Sequence, residues 1–263
     1  ESRKCRVVAM NICVDCGEPS TGNCCQGRTA TAQTLEGALG PQWQRYFKPS
    51  TYLVVNYGGG ENSVGALLYL YEKGIRPFAI VQADPGSETP RSITFRDPVL
   101  RPWLKTVDWP DIAVISRESE AFHGTSRWKG TLYDDCFKKQ MLPSAAYGLS
   151  SCSQKFKAEP MHWWLRRQGW AQQEWREGRQ ITRVIGYDAG ESRRVNKRRH
   201  CISGRNFDVF EQPLERVRYR PWYPLYDGGW TRQDCVAASV RMFGTSPGKS
   251  SCTFCPNQSL AEW

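Results

Sequence analysis

The chain has 263 residues and a mass of 30.0 kDa, room for one large α/β domain with a smaller appended unit. Lys and Arg number 36 against 26 acidic residues, a net charge of +10 with pI ≈ 9.1, which favours a polyanionic partner such as nucleic acid or a phosphorylated small molecule. Mean hydropathy is -0.59 and no stretch approaches the roughly 18–20 apolar residues of a membrane span, so a soluble chain without a membrane partner is expected.

Residues 1–50 carry five of the eleven cysteines among many small polar residues, and they close on GPQWQRYFKPS, whose Gly-Pro and Lys-Pro steps read as linker. A Cys-rich N-terminal appendage is expected there, with Cys13-x-x-Cys16 and the Cys24-Cys25 pair as candidate zinc ligands. The chain opens on Glu1 with no charged-then-apolar leader, which argues against a retained secretion signal. Cysteines that fall in pairs within a basic chain suit metal ligation in a reducing compartment better than a disulfide framework, so a cytoplasmic location is expected.

From residue 51 to the end the pattern becomes that of one larger domain. TYLVV (51–55) reads as a short buried strand. ENSVGALLYLYEKG follows with Val64, Leu67, Leu68 and Tyr71 at helical spacing and Gly74 as the stop. RPFAIVQAD is a second β-rich run, and strand, helix, strand in that order predicts a βαβ unit in a parallel, twisted sheet with right-handed crossovers. DIAVIS (111–116) and TRVIGYDA (182–189) read as further strands, PMHWWLRRQGW as a helix between them, and residues 190–220 as a basic loop.

Between the first strand and helix lies NYGGGENS, a glycine-rich turn that presents backbone N–H groups and a positive helix end at one point, as a phosphate cradle does. Glycines in a tight turn are the alternative. The stretch lacks the Gly-Lys-Ser/Thr ending of a Walker loop and the spacing of a dinucleotide fingerprint. Tyr57-Gly58-Gly59-Gly60-Glu61-Asn62-Ser63 does resemble the PP-loop of the ATP pyrophosphatase superfamily, Ser-Gly-Gly-x-Asp-Ser, with Tyr for the first Ser, a shifted Gly and Asn for Asp.

Further motifs resemble the branch of that superfamily related to phosphoadenosine phosphosulfate (PAPS) reductase. In order they are Asp84-Pro85-Gly86-Ser87-Glu88-Thr89-Pro90, Cys152-Ser153-x-x-x-Lys157-x-x-Pro160, VIGYDAGESRR (184–194), YPLYDGGWTRQDC and GKSSCTFCPNQ. The resemblance covers roughly residues 52–259. It implies an α/β fold with helices on both faces of the sheet, adenine nucleotide alpha hydrolase-like, and cleavage of ATP to AMP and pyrophosphate with Mg²⁺. Backbone and side-chain donors at Tyr57, Gly58, Gly59, Gly60, Asn62 and Ser63 would then hold phosphate, Lys157 with one or more of Arg193, Arg194 and Arg232 would clamp charge, and Asp84 and Glu88 would hold Mg²⁺ or ribose. Ser63, Asp84, Lys157 and Arg232 are the candidate catalytic groups.

Cys252-x-x-Cys255 is a two-ligand hairpin, and Cys152 and Cys235 in the neighbouring motifs complete four thiolates, suited to a 4Fe-4S cluster or to tetrahedral zinc. Resemblance to sulfur-handling relatives favours iron-sulfur; buried structural cysteines are the alternative. Only three histidines exist, His123, His162 and His200, so a His-centred triad is not expected.

The reading that unites these features is an ATP-dependent activating enzyme in sulfur insertion, similar to the PP-loop component of DNA phosphorothioation systems. Nucleic acid, a sulfur donor such as a cysteine desulfurase and other modification subunits would be its partners. Arg and Lys would contact phosphates and some of the eleven tryptophans would stack on bases, although core packing explains most tryptophans. A PAPS reductase-type activity is an alternative, with Cys201 replacing the tail nucleophile that NQSLAEW lacks, and a non-catalytic nucleotide sensor is another.

Overall fold

The computed structural model describes residues 48–118, 130–143, 151–196 and 218–255. Cys13, Cys16, Cys24, Cys25 and Cys201, with most of the basic loop, lie outside the described residues. The chain divides into two units: Tyr52–Leu165, Arg183–Arg199 and Pro221–Trp263 make one, and Glu1–Thr51, Arg166–Thr182 and His200–Arg220 the other.

Five strands, β1 (Lys48–Asn56), β2 (Ala79–Ala83), β3 (Ile112–Ile115), β4 (Arg179–Ile185) and β5 (Tyr219–Trp222), form an all-parallel sheet in the order β3-β2-β1-β4-β5. The register pairs Val54 with Ala79 and Ile80 with Ile112. Val54, Val55, Ile80, Val81 and Ala83 are buried, the continuous apolar run of a strand covered on both sides. β1 is followed by β2 on one side, and β4 joins on the other. The order therefore reverses beside β1, where the carboxyl ends of strands in an open α/β sheet leave a crevice.

Helix α1 (Glu61–Glu72) crosses from β1 to β2. Its buried residues run from Ser63 through Leu68 and include Leu70, an almost all-round burial that places it inside the domain. Tyr71 at the end of the stripe is half exposed and meets Trp103 and Trp109 edge-on. Gly74, with φ +66, closes the turn after α1. From β2, the chain returns through α2 (Pro90–Phe95), a π-helical turn (Arg96–Leu100) and α3 (Arg101–Thr106) to β3. Helices α4 (Leu132–Lys139), α5 (Glu159–Arg166), α6 (Gly169–Arg176) and α7 (Arg232–Phe243) follow.

Three boundaries differ from the sequence expectation. β1 starts at Lys48, inside the segment read as linker, because a proline near the start of a strand removes no essential ladder bond. The helix expected at 160–170 is two helices, with Gln168 extended before Gly169. β4 ends at Ile185, since Gly186 turns the chain against α1.

In the second unit, Trp175 Nε1 donates to the Arg218 carbonyl at 3.1 Å and the Arg218 guanidinium lies 4.7 Å from the same ring. Trp103, Trp109, Trp222 and Trp230 pack against the main core, which favours packing for these four. Among the described residues, no helix is long and apolar enough to cross a membrane.

Candidate functional site

The glycine turn leaves β1 where the strand order reverses. Tyr57 N–H still donates to Val81 O at 2.8 Å, and the chain then turns through exposed Gly58 and through Gly59, whose φ of +79 favours glycine. A side chain on Gly59 would sit 3.3 Å from Ser92 Cβ and 3.4 Å from Gln82 Nε2. Gly60 caps α1. Ser63 Oγ donates to Gly60 O at 2.8 Å and accepts from Gly60 N–H at 3.1 Å, so this hydroxyl braces the loop.

The loop after β4 closes on the same helix end. A Cβ on Gly186 would lie 2.6 Å from Asn62 O, an approach only glycine permits. Asn62 Nδ2 donates to Asp188 Oδ2 at 2.7 Å and to Glu191 Oε2 at 3.1 Å, while Asn62 Oδ1 is buried with no partner. Asp188 caps the 3-10 turn Ala189–Glu191 through Gly190 N–H at 2.8 Å. Glu191 also pairs with Arg194, whose guanidinium stacks 4.2 Å from the Tyr187 ring. Arg193 is exposed, and Arg232 Nε is committed to Glu61 Oε2 at 2.6 Å. Of the three arginines proposed as clamps, two therefore make ion pairs beside the loop.

At the end of β2, Asp84 Oδ1 accepts from Gly86 N–H at 2.7 Å and shapes the turn. Glu88 is nearly buried and its Oε1 takes a 2.7 Å bond from Lys157 Nζ, but its Oε2 has no partner. Burial pushes the Glu88 carboxyl up more than the Lys157 ammonium pulls it down. Burial also acts to lower Lys157, and the Glu88 carboxyl outweighs it, so the ammonium is held above its ordinary range. Tyr57, fully buried, has a hydroxyl with no partner, and burial raises it well beyond the usual phenol range. Three groups absent from the expected site complete this corner: Arg96 grips Asp97 in a fork and donates to Gln82 Oε1 at 3.0 Å, beside Gly59. Nothing in RDP marks Arg96 as buried; only the π-helical turn carries it inward.

The cysteines fall into two places. Leu132, Phe156 and Cys252 are buried together, with Cys136, Cys152, Phe254 and Cys255 packed against them. Cys152, Cys252 and Cys255 are thus brought into one cluster, joined by Cys136 on α4, which the sequence reading did not single out. Cys235 lies elsewhere, buried on α7, where a Cβ on Gly65 of α1 would meet its Sγ at 2.4 Å; burial pushes its thiol up to about 12. Its position is that of a packing residue between two helices. Burial also pushes up the Cys252 thiol, with Ser87 and Lys157 pulling the other way. Among the described residues, no three His, Cys, Asp or Glu side chains form a preformed ion site. His162 Nε2 lies 2.9 Å from Arg183 Nη1.

The chain matches no protein-family model, and no curated protein matches it.

Proposed function

We propose that the protein is an ATP pyrophosphatase that adenylates an acceptor oxygen for replacement by sulfur, with nucleic acid as the favoured acceptor. One observation carries this reading: the glycine loop stands where the strand order reverses and is buttressed from both sides, by Gln82 and Ser92 near β2 and by Gly186 and Asp188 after β4. The point where the strand order reverses is where open α/β sheets bind nucleotides, and the reading extends to a nucleotide hydrolase-like fold with helices on both faces. The net charge of +10 supports a polyanionic acceptor.

In this reading the N–H groups of Gly58, Gly59, Glu61 and Asn62 would meet the phosphates, Ser63 keeps the turn rigid, and Lys157 neutralises charge as pyrophosphate leaves. The unpartnered Glu88 Oε2 and Asn62 Oδ1 fit a polar ligand or a hydrated Mg²⁺, since buried polar atoms are rarely left unsatisfied. Cys136, Cys152, Cys252 and Cys255 would hold an iron-sulfur cluster or zinc, replacing Cys235 in the expected set. A cluster there would supply sulfur or electrons, and zinc would serve structure. Residues 1–50 remain the place for a second zinc, and cytoplasmic reducing conditions, a cysteine desulfurase and other modification subunits belong to the same reading.

The test is pyrophosphate release from ATP with and without single- and double-stranded DNA or RNA. Release stimulated by nucleic acid and abolished in Ser63→Ala is expected. ATP binding without release under every condition would overturn the enzyme and leave a nucleotide sensor, a reading favoured by the prior commitment of Asn62 and Arg232 to protein partners.

A further inference from the structure

We propose that Ser246–Thr253 is a displaceable strap that couples phosphate binding at the glycine loop to the release of the Cys252 hairpin. The proposal rests on the phosphate-binding role given to the loop above. On one side the strap lies on that loop. Gly248 O accepts from Glu61 N–H at 3.0 Å, taking the first backbone donor of α1, and a Cβ on Gly60 would lie 2.7 Å from Ser250 N and 2.8 Å from Ser250 Oγ. On the other side the strap is zipped to the turn after β2. Thr89 N–H donates to Ser251 O at 3.1 Å, Thr253 N–H to Ser87 O at 2.9 Å, and Glu88 and Cys252 form an antiparallel bridge. Arg91 Nη2 reaches Ser246 O at 3.5 Å, and Gly248, with φ +76, turns the strap against the Arg91 guanidinium.

Two physical facts make the strap movable by a phosphate. Where not even a methyl group fits between Gly60 and Ser250, a phosphate reaching the N-terminus of α1 must displace the strap. A phosphate oxygen is also the stronger competitor for Glu61 N–H, because a charged acceptor makes a bond roughly twice as strong as a neutral carbonyl does. Cys252 follows Gly248 within a single short stretch, Gly-Lys-Ser-Ser-Cys. Lifting Gly248 therefore loads the Thr89 and Thr253 bonds, which hold Cys252 beside Glu88 and Lys157. A thiol site closed before nucleotide binding opens after it, and by linkage a ligand that locks the Cys252–Cys255 hairpin in its present place weakens phosphate binding.

Hydrogen exchange read by mass spectrometry on the full chain, as purified, tests this with inorganic pyrophosphate as the probe and calorimetry to establish binding. Bound pyrophosphate is expected to speed exchange at Thr89 and Thr253 about tenfold, the factor matching one net backbone hydrogen bond, while the amides of α7 keep their rate and report the global fold. In Gly60→Ala, whose methyl group pushes on Ser250 without any ligand, the same two amides are expected to accelerate; in Gly58→Ala, whose Cβ would make only ordinary contacts at 3.7 and 4.0 Å, they are not. Heat of binding with unchanged or slowed exchange at Thr89 and Thr253 overturns the strap and leaves the phosphate loop standing. Absence of binding heat overturns both. If Gly60→Ala speeds α7 equally, that variant has lost its fold and the pyrophosphate arm on the natural chain decides.

Discussion

Asn62 stands where the resembled loop has Asp, and Asn62→Asp tests why. The amide donates to Asp188 Oδ2 at 2.7 Å and to Glu191 Oε2 at 3.1 Å, so the substitution replaces a shared donor by a third carboxyl group. Two unit charges that close interact by about 5–6 kcal/mol at an effective dielectric constant of about 20. The new carboxyl escapes most of this by taking a proton, which bounds the penalty. Holding a proton at pH 7.5 on a group with an ordinary value of about 3.9 costs about 5 kcal/mol, and at pH 5 about 1.5 kcal/mol. The folded-state value of the introduced carboxyl is raised, so the variant is most stable below the unfolded value and loses stability as pH climbs toward the folded one. Urea unfolding followed by tryptophan fluorescence at the two pH values is expected to give a deficit of about 3–5 kcal/mol at pH 7.5, shrinking by about 3 kcal/mol at pH 5. A deficit independent of pH, or a variant as stable as the natural chain at pH 7.5, refutes the description of this corner.

Gly65→Ala gains about 1 kcal/mol of helix propensity but drives a methyl group into Cys235 Sγ and Cβ at 2.4 and 2.7 Å; overpacking of about 1–3 kcal/mol wins, and a thermal scan should show a lower Tm. Cys235→Ala is expected to leave metal content unchanged, whereas Cys136→Ser and Cys252→Ser lower it; elemental analysis of anaerobically purified protein decides, and equal loss in Cys235→Ala would return that residue to the ligand set. Lys157→Met removes the counter-charge of Glu88 and should destabilise by about 1–3 kcal/mol at neutral pH, a range reduced because the lysine is a third exposed. Burial already raises Glu88, so the deficit of that variant should shrink as pH falls from 7 to 5, which parallel urea titrations would detect.

The βαβ unit was legible from local chemistry. Val54-Val55 and Ile80-Val81 are apolar runs of strand length, Val64, Leu67 and Leu68 recur at helical spacing, and Gly74 stops the helix. The glycine turn announced itself because a close approach and a positive φ leave glycine as the permissive residue, and Gly59 has that φ. Boundaries were less legible. Lys48 to Ser50 belong to a strand although Pro49 argues locally for a loop, because a proline near the start of a strand removes no essential ladder bond.

Short-range signals of this kind, periodicity, turn chemistry and ordered motifs, are what the amino-acid sequence determines for this protein. Grouping of distant side chains is a different matter. Glu88 and Lys157 are 69 residues apart in the chain and share a 2.7 Å bond; Asn62 and Asp188 are 126 apart and share another. Cys136 and Cys235 look alike in sequence, each following an aspartate on a helix. The rotation of α7 turns Cys235 onto Gly65, and the placement of α4 turns Cys136 toward Cys152 and Cys252. The folding of Gly248–Ser251 over the glycine loop likewise has no local signature, since it depends on a gap at Gly60 that exists only once helix, turn and strap meet. Tertiary structure decided these because burial and packing depend on where elements lie in space, and no period or motif within one element encodes its neighbour's position.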